Sequence, residues 1–156
     1  MNYKVITDVK KIEEIIANSR YMHLGMFDGE YPYVVPLHYG YKMEDGKLTF
    51  YMHSARAGHK LDCLKENGNV FVEIDRGESL ITSEQPCSFG AEYESVMCRG
   101  RAKILENGAE KTAALINLMK TQTGQDFQIN EKMAAAVTVI KVDVEYYTAK
   151  ACVRKN

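Results

Sequence analysis

Apolar and polar positions alternate along this chain with two different periods, and the switch between them marks out its elements. Val9, Ile12, Ile15 and Ile16 share one face of a 3.6-residue turn behind Thr7 and Asp8, which predicts a capped amphipathic helix ending near Asn18. From Tyr21 the period drops to two. Residues 21–27, 31–41 and 47–53 read as three strands, joined at Asp28-Gly29 and at Glu44-Asp45-Gly46, and the three are expected to pair in order as a meander. Pro32 and Pro36 interrupt the middle run. Proline gives no N–H to a ladder, so they predict an edge, a bulge, or a stretch where a ligand rather than a strand meets the backbone.

Residues 54–68 read as a short helix, with Ser54 or a near neighbour as N-cap and Asn67-Gly68 as its stop. A strand follows at Val70-Phe71-Val72-Glu73-Ile74. Residues 75–91 lack any period and read as a long loop, of the kind that often carries or covers a site. Strand character resumes over 93–105, a helix is expected over 109–121 with Gly124 behind it, and a β-branched strand over 136–144 continues loosely through 146–149. Six strands with helices between them predict one α+β, mainly β domain over residues 1–156, its antiparallel sheet closed into a barrel.

Composition narrows the function classes. The 156 residues are 46% apolar, with 20 Lys+Arg against 21 Asp+Glu and a formal net charge of −1. Such evenly mixed charge excludes a polybasic nucleic-acid binder and an acidic disordered chain. No apolar run approaches the roughly 20 residues that span a bilayer, and the first residues lack the long apolar core of a secretory signal. A cytoplasmic protein without nucleic-acid or membrane partners is expected. Cys63, Cys87, Cys98 and Cys152 never form a C-x-x-C pair. His59 and Cys63 stand at i, i+4 without evident further ligands, so no metal site is expected. The sequences G-x-S-x-G, G-x-G-x-x-G and G-x-x-x-x-G-K-[ST] are all missing, which sets aside the hydrolase elbow and two common nucleotide-binding loops.

The most informative stretch is the strand-to-helix corner, where Ser54, Arg56 and Lys60 surround Ala55, Ala57 and Gly58. Free N–H groups at a helix start, a hydroxyl and two cations suit a phosphate, and small residues allow close approach. The same residues also suit a plain N-cap with solvated cations, and spacing alone does not separate the two readings. His38 and His53 lie near the ends of strands expected to pair; a hydrogen-bonded sheet histidine is the default for each.

Taken together, several runs resemble the nitroimidazole-resistance (Nim) branch of the pyridoxamine 5′-phosphate oxidase-like flavin-binding split barrels. They are Tyr31-Pro32-Tyr33-Val34-Val35-Pro36-Leu37-His38-Tyr39, the stretch from Leu48 through His53-Ser54-Ala55-Arg56-Ala57-Gly58-His59-Lys60 to Leu64, Val70-Phe71-Val72-Glu73-Ile74-Asp75, and Ser95-Val96-Met97-Cys98-Arg99-Gly100-Arg101-Ala102. The resemblance covers almost the whole chain. It implies a six-stranded split β-barrel with flanking helices that forms a homodimer, with FMN in the clefts between subunits. Carried over by position, His53, Ser54, Gly58 and Lys60 would meet the FMN phosphate, and the isoalloxazine would lie along Val35, Pro36, Leu37 and His38. Cys98 and Arg99 would contribute from the partner subunit. The implied activity is an FMN-dependent oxidoreductase that reduces a small acceptor such as a nitroaromatic, with His38 as its general acid. The alternative is a flavin- or haem-binding carrier or sensor without turnover, since this fold hosts several functions. The R-x-H signature of the pyridoxamine phosphate oxidases proper is missing near the C-terminus, which argues against vitamin B6 oxidation.

Overall fold

The computed structural model describes residues 2–77 and 79–153. In chain order these form β1 (Asn2–Ile6), α1 (Val9–Asn18), β2 (Met22–Phe27), β3 (Pro32–Leu37), β4 (Gly40–Glu44), β5 (Lys47–Ser54), α2 (His59–Glu66), β6 (Asn69–Arg76), β7 (Leu80–Ile81), β8 (Gly90–Ala91), β9 (Tyr93–Leu105), α3 (Gly108–Thr123), α4 (Glu131–Ala134) and β10 (Thr138–Val153). Local chemistry sets several boundaries. Asp8 caps α1 by accepting the N–H of Lys10, Asn107 caps α3 by accepting that of Glu110, and Gly124 ends α3 in the left-handed region. Asp45 and Gly46 both have positive φ, 49° and 77°, the two-residue turn whose twist suits a hairpin, and it aligns Glu44 with Lys47.

The main sheet is antiparallel and runs β3-β2-β6-β9-β10-β5-β4, with β1 added along β10. β3 and β4 follow one another in sequence yet lie at opposite ends of this path. In a flat sheet at about 4.8 Å per strand those edges would stand about 29 Å apart. The chain crosses from Leu37 to Gly40, three Cα steps that reach about 11 Å at most. The sheet therefore curls until its edges meet, and because no ladder joins β3 to β4 among the described residues, the resulting barrel is split along that seam.

Two expectations change here. The six expected strands become eight in this sheet, because β1 pairs with the distant end of β10 and the run over 31–41 divides at His38-Tyr39. The meander does not form: β2–β3 and β4–β5 are hairpins, but β3 pairs only with β2. Pro32 and Pro36 are accordingly edge-strand prolines. The expected loop over 75–91 includes a small β7–β8 ribbon; Glu78 lies outside the described residues.

The barrel interior is filled from every wall, by Met22, Leu24, Phe50, Met52, Val72, Ile74, Cys98, Ile140 and others, with Ile12, Ile15 and Ile16 of α1 and Leu61 and Leu64 of α2 joining the same core. A second cluster, Leu105, Ala114, Leu115, Ala134 and Val139, seals α3 and α4 against the outside of the wall near β5 and β10. α3 lies so close to β4 that a β-carbon at Gly40 would stand 2.5 Å from the Leu118 Cα. Its amides also finish that edge: Asn117 Nδ2 donates to the Tyr41 carbonyl at 2.9 Å and Gln122 Nε2 to the Tyr39 carbonyl at 2.7 Å. The outside of β2, β3, β6 and β9 carries no such cover. There Phe27 and Val34, each 56% exposed, and Phe71, 44% exposed, line a trough of about 300 Å³ floored by Gly25, and Met97 on β9 is 41% exposed.

Candidate functional site

The register locates the split in detail. The β4–β5 ladder stops at Gly40–Tyr51, but β5 runs on to Ser54, and Met52, His53 and Ser54 pair only with Ile140, Val139 and Thr138 on β10. Their other side opens on the seam. Across it, β3 ends at Leu37 and the chain turns through His38 and Tyr39 into β4. Residues 35–38 and 53–60, far apart in sequence, thus border one opening.

Tyr39 makes that turn rigid. Its ring is fully buried edge-on to Phe50, and its hydroxyl lies 2.6 Å from the Ile16 carbonyl and 3.1 Å from that of Ser19, the last turn and C-cap of α1. Burial pushes its phenol pKa well up, so it stays a neutral donor. Sequence patterning passes over this residue because a buried tyrosine in an alternating run resembles any core position.

The phosphate-like corner differs from the sequence expectation in one respect. Ser54 ends β5 and does not cap α2; the N-cap is Gly58, with φ 142° and no side-chain cap. A β-carbon there would meet nothing within 4 Å, so backbone conformation and not crowding calls for glycine. In the first turn of α2 the Leu61 N–H donates to the Gly58 carbonyl at 2.8 Å, and no side chain caps the N–H groups of His59 and Lys60 before it. Next to them Lys60 is half-buried, and burial alone pulls its pKa below the ordinary lysine value. No acid pairs with it among the described residues. Arg56 is fully on the surface.

His59 ties this corner to the β2–β3 hairpin. Its Nε2 is 3.8 Å from Asp28 Oδ2, and its ring lies 4.9 Å from that of Tyr33, with Cys63 Sγ 3.6 Å from Nε2. Asp28 is itself fixed by accepting the N–H groups of Tyr31 and Glu30, which, with the nearby His59, hold its carboxyl below the usual range. Burial raises the Cys63 thiol, so it acts as a core group and not as a nucleophile. These partners escape sequence reasoning because the loop and the helix are joined only by the fold.

On the other bank, Val35 and Leu37 turn their side chains toward the core while Pro36 and His38 face out. His38 stacks on Tyr21, with ring centroids 4.7 Å apart and planes 18° from parallel. His53 is exposed. Of the expected residues, Val35, Pro36, Leu37, His38, His53, Ser54, Gly58 and Lys60 therefore gather at the seam. Cys98 and Arg99 do not. Cys98 is a core residue, 1% exposed, whose thiol burial pushes up to about 12, so its side chain is withdrawn from the surface. Arg99 faces out from β9, its guanidinium 5.1 Å over the Tyr146 ring.

No helix among the described residues is long and apolar enough to cross a membrane. Comparison with known proteins gives a consistent result. The family model described as pyridoxamine 5′-phosphate oxidase matches residues 8–151. A candidate 5-nitroimidazole antibiotic resistance protein from Bacteroides thetaiotaomicron is 36% identical, with a TM-score of 0.82 over 96% of this chain and 87% of that one. A flavocytochrome from Azotobacter vinelandii, 19% identical, has a TM-score of 0.78 over 96% of this chain and 70% of its own. An FAD- and haem-binding protein from Mycobacterium smegmatis, 14% identical, has a TM-score of 0.82 over 97% and 74%. These last two share the fold. Among proteins of curated function, none matches. With a family model spanning nearly the whole chain and a 36% identical relative of the same architecture, this split barrel belongs to the pyridoxamine 5′-phosphate oxidase-like family, in its nitroimidazole-resistance type.

Proposed function

We propose that this chain is an FMN-dependent oxidoreductase that works as a cytoplasmic homodimer and reduces a small acceptor, a 5-nitroimidazole-like nitroaromatic being the leading class. The observation that carries the reading is Lys60. A lysine half-buried with no acid beside it is less stable charged than a solvated one, and an anion restores the difference. Charge-assisted bonds from Lys60 and the Ser54 hydroxyl, with the uncapped N–H groups at Gly58, fit a phosphate monoester. FMN carries one where riboflavin does not.

The other groups fall into place around that anchor. A bound flavin supplies hydride transfer from its N5 to an acceptor, and the protein holds and tunes it. Backbone groups of Val35, Pro36 and Leu37 lie on an edge strand, so they can bond a flat ring edge without breaking a ladder. His38, exposed and held by its stack on Tyr21, can deliver a proton to the reduced acceptor. The uncovered apolar surface of β2, β3, β6 and β9 is the face for a second copy, whose Arg99 side chain would add to the cleft.

The test is spectroscopic. Purified protein should show an oxidised-flavin spectrum, bleach on reduction, and recover on addition of a nitroaromatic faster than free FMN does. A haem-like spectrum, or recovery no faster than free FMN, would overturn the enzyme reading and leave a carrier or sensor.

A further inference from the structure

His23, Glu73 and Asp75 are brought together by the ladder although fifty residues separate the first two. His23 on β2 pairs directly with Glu73 on β6, and Asp75 follows two residues later on the same outward face. His23 Nδ1 lies 3.0 Å from Glu73 Oε2, and one ligand atom from each of the three residues lies within 4.8 Å of the others. The strands carrying them are fixed from behind by Leu24, Val72 and Ile74, all fully buried, and β6 is paired on both sides. The cluster is thus rigidly placed.

Its charge is unbalanced as it stands. Among the described residues His23 is the only hydrogen-bond or ion-pair partner of Glu73, and the Asp75 carboxylate has none. Two carboxylates two residues apart on one strand face repel each other. A divalent cation neutralises both while using the imidazole as a third donor. The cluster borders a cavity of about 350 Å³ lined by Arg20, Tyr21, His23, Pro36 and Asp75, which leaves room for water to complete the coordination. Arg20 is the cation lining that cavity.

We propose that His23, Glu73 and Asp75 form a surface site for a divalent first-row transition-metal ion. One nitrogen and two carboxylate donors from adjacent strands match the ligand set such ions prefer over Mg²⁺, which favours oxygen alone. The sequence expectation of no metal site rested on the spacing of His59 and Cys63. This cluster owes nothing to that pair; it adjoins the proposed flavin bank at Pro36, and His23 and Glu73 also line the trough on the face proposed for a second copy.

The experiment is calorimetric titration of the purified full chain with Zn²⁺ in a non-chelating buffer. One ion per chain with micromolar affinity is expected, weakened about tenfold or more by each of His23→Ala, Glu73→Gln and Asp75→Asn, because loss of a direct ligand costs at least what loss of its supporting partner does. His23 and Asp75 are exposed and Glu73 is half-buried, and unchanged circular dichroism would show that the fold is intact. Cys63→Ser and Lys60→Ala should leave the isotherm as it is, separating the site from the His59–Cys63 pair and from the phosphate corner. Only millimolar binding, an isotherm insensitive to Glu73→Gln and Asp75→Asn, or one abolished by Cys63→Ser would overturn the proposal.

Discussion

The outside of this barrel is finished in two ways. Along β4, β5 and β10 the wall is covered by α3 and α4, with leucines and alanines between and Asn117 and Gln122 satisfying edge carbonyls. Along β2, β3, β6 and β9 the same ladder is bare, and Phe27, Val34, Phe71 and Met97 stand in solvent. The covered half shows what this chain does with an apolar outer face when it has an element to lay on it. The bare half has the apolar face without the element, and under the proposed function a second copy of the chain would supply one. The seam between β3 and β4 runs where the two halves meet, so a ligand bound there would be held by one finished edge and one bare edge.

The sharpest way to break this comparison is to damage each half separately. Gly40→Ala and Leu118→Ala, both on the covered side, should each cost about 3 kcal/mol in urea denaturation, the first by forcing α3 off the sheet and the second by opening a cavity. Val34→Ser with Phe71→Ser on the bare side should instead shift sedimentation from dimer to monomer. The fold of the monomer should change by no more than about 0.5 kcal/mol per site, as for ordinary surface positions. A large loss of monomer stability, or an unchanged dimer, would erase the distinction.

A smaller effect tests the finished edge itself. Asn117→Ala removes the donor to the Tyr41 carbonyl and should cost about 1 kcal/mol, the net worth of one part-buried hydrogen bond. No equivalent exists on β3 among the described residues, and two prolines blunt that edge chemically instead.

How much of this was readable from sequence follows from where each interaction lies. Asp8, Asp45-Gly46 and Gly124 act on their own neighbours, so these caps and turns were legible, whereas the Asn107 cap of α3 was passed over. The break between β3 and β4 was not, because the inward parity of Tyr33, Val35 and Leu37 continues through Tyr39 into Tyr41 and Met43. An unbroken alternation hides a chain that changes sheet edge. Ser54 was the evident cap by type, yet the helix starts four residues later at Gly58, where positive φ decides and side-chain chemistry does not. Cys98 shares a motif with Arg99, but alternation turns one inward and the other out. The seam residues were assembled by resemblance, and the pairing of His23 with Glu73 needed the ladder.

The smallest predicted effect concerns the clasp holding α1. Arg76 donates to Glu14 and Glu94, and Lys11 reaches both acids. Hydrogen bonds from Arg76 and then Lys11 lower the Glu14 carboxyl pKa; burial works against ionising Glu94, but the same two cations outweigh it. Both folded values lie below the unfolded ones. The stability they lend is therefore complete above the ordinary carboxylate range and is lost as pH falls through the folded values. Thermal melts should show this acid loss in the wild type, a flatter acid limb in Arg76→Ala, and a shrinking difference at high salt, since the groups are partly exposed.

The central claim is that the Ser54–Lys60 corner holds a phosphate. Its most direct measurement compares FMN and riboflavin affinity in wild type and in Ser54→Ala with Lys60→Ala. Two lost charge-assisted bonds should lower FMN affinity on the order of 100-fold while riboflavin stays within about twofold. Equal losses for both ligands, or a wild type that does not prefer FMN, would contradict it.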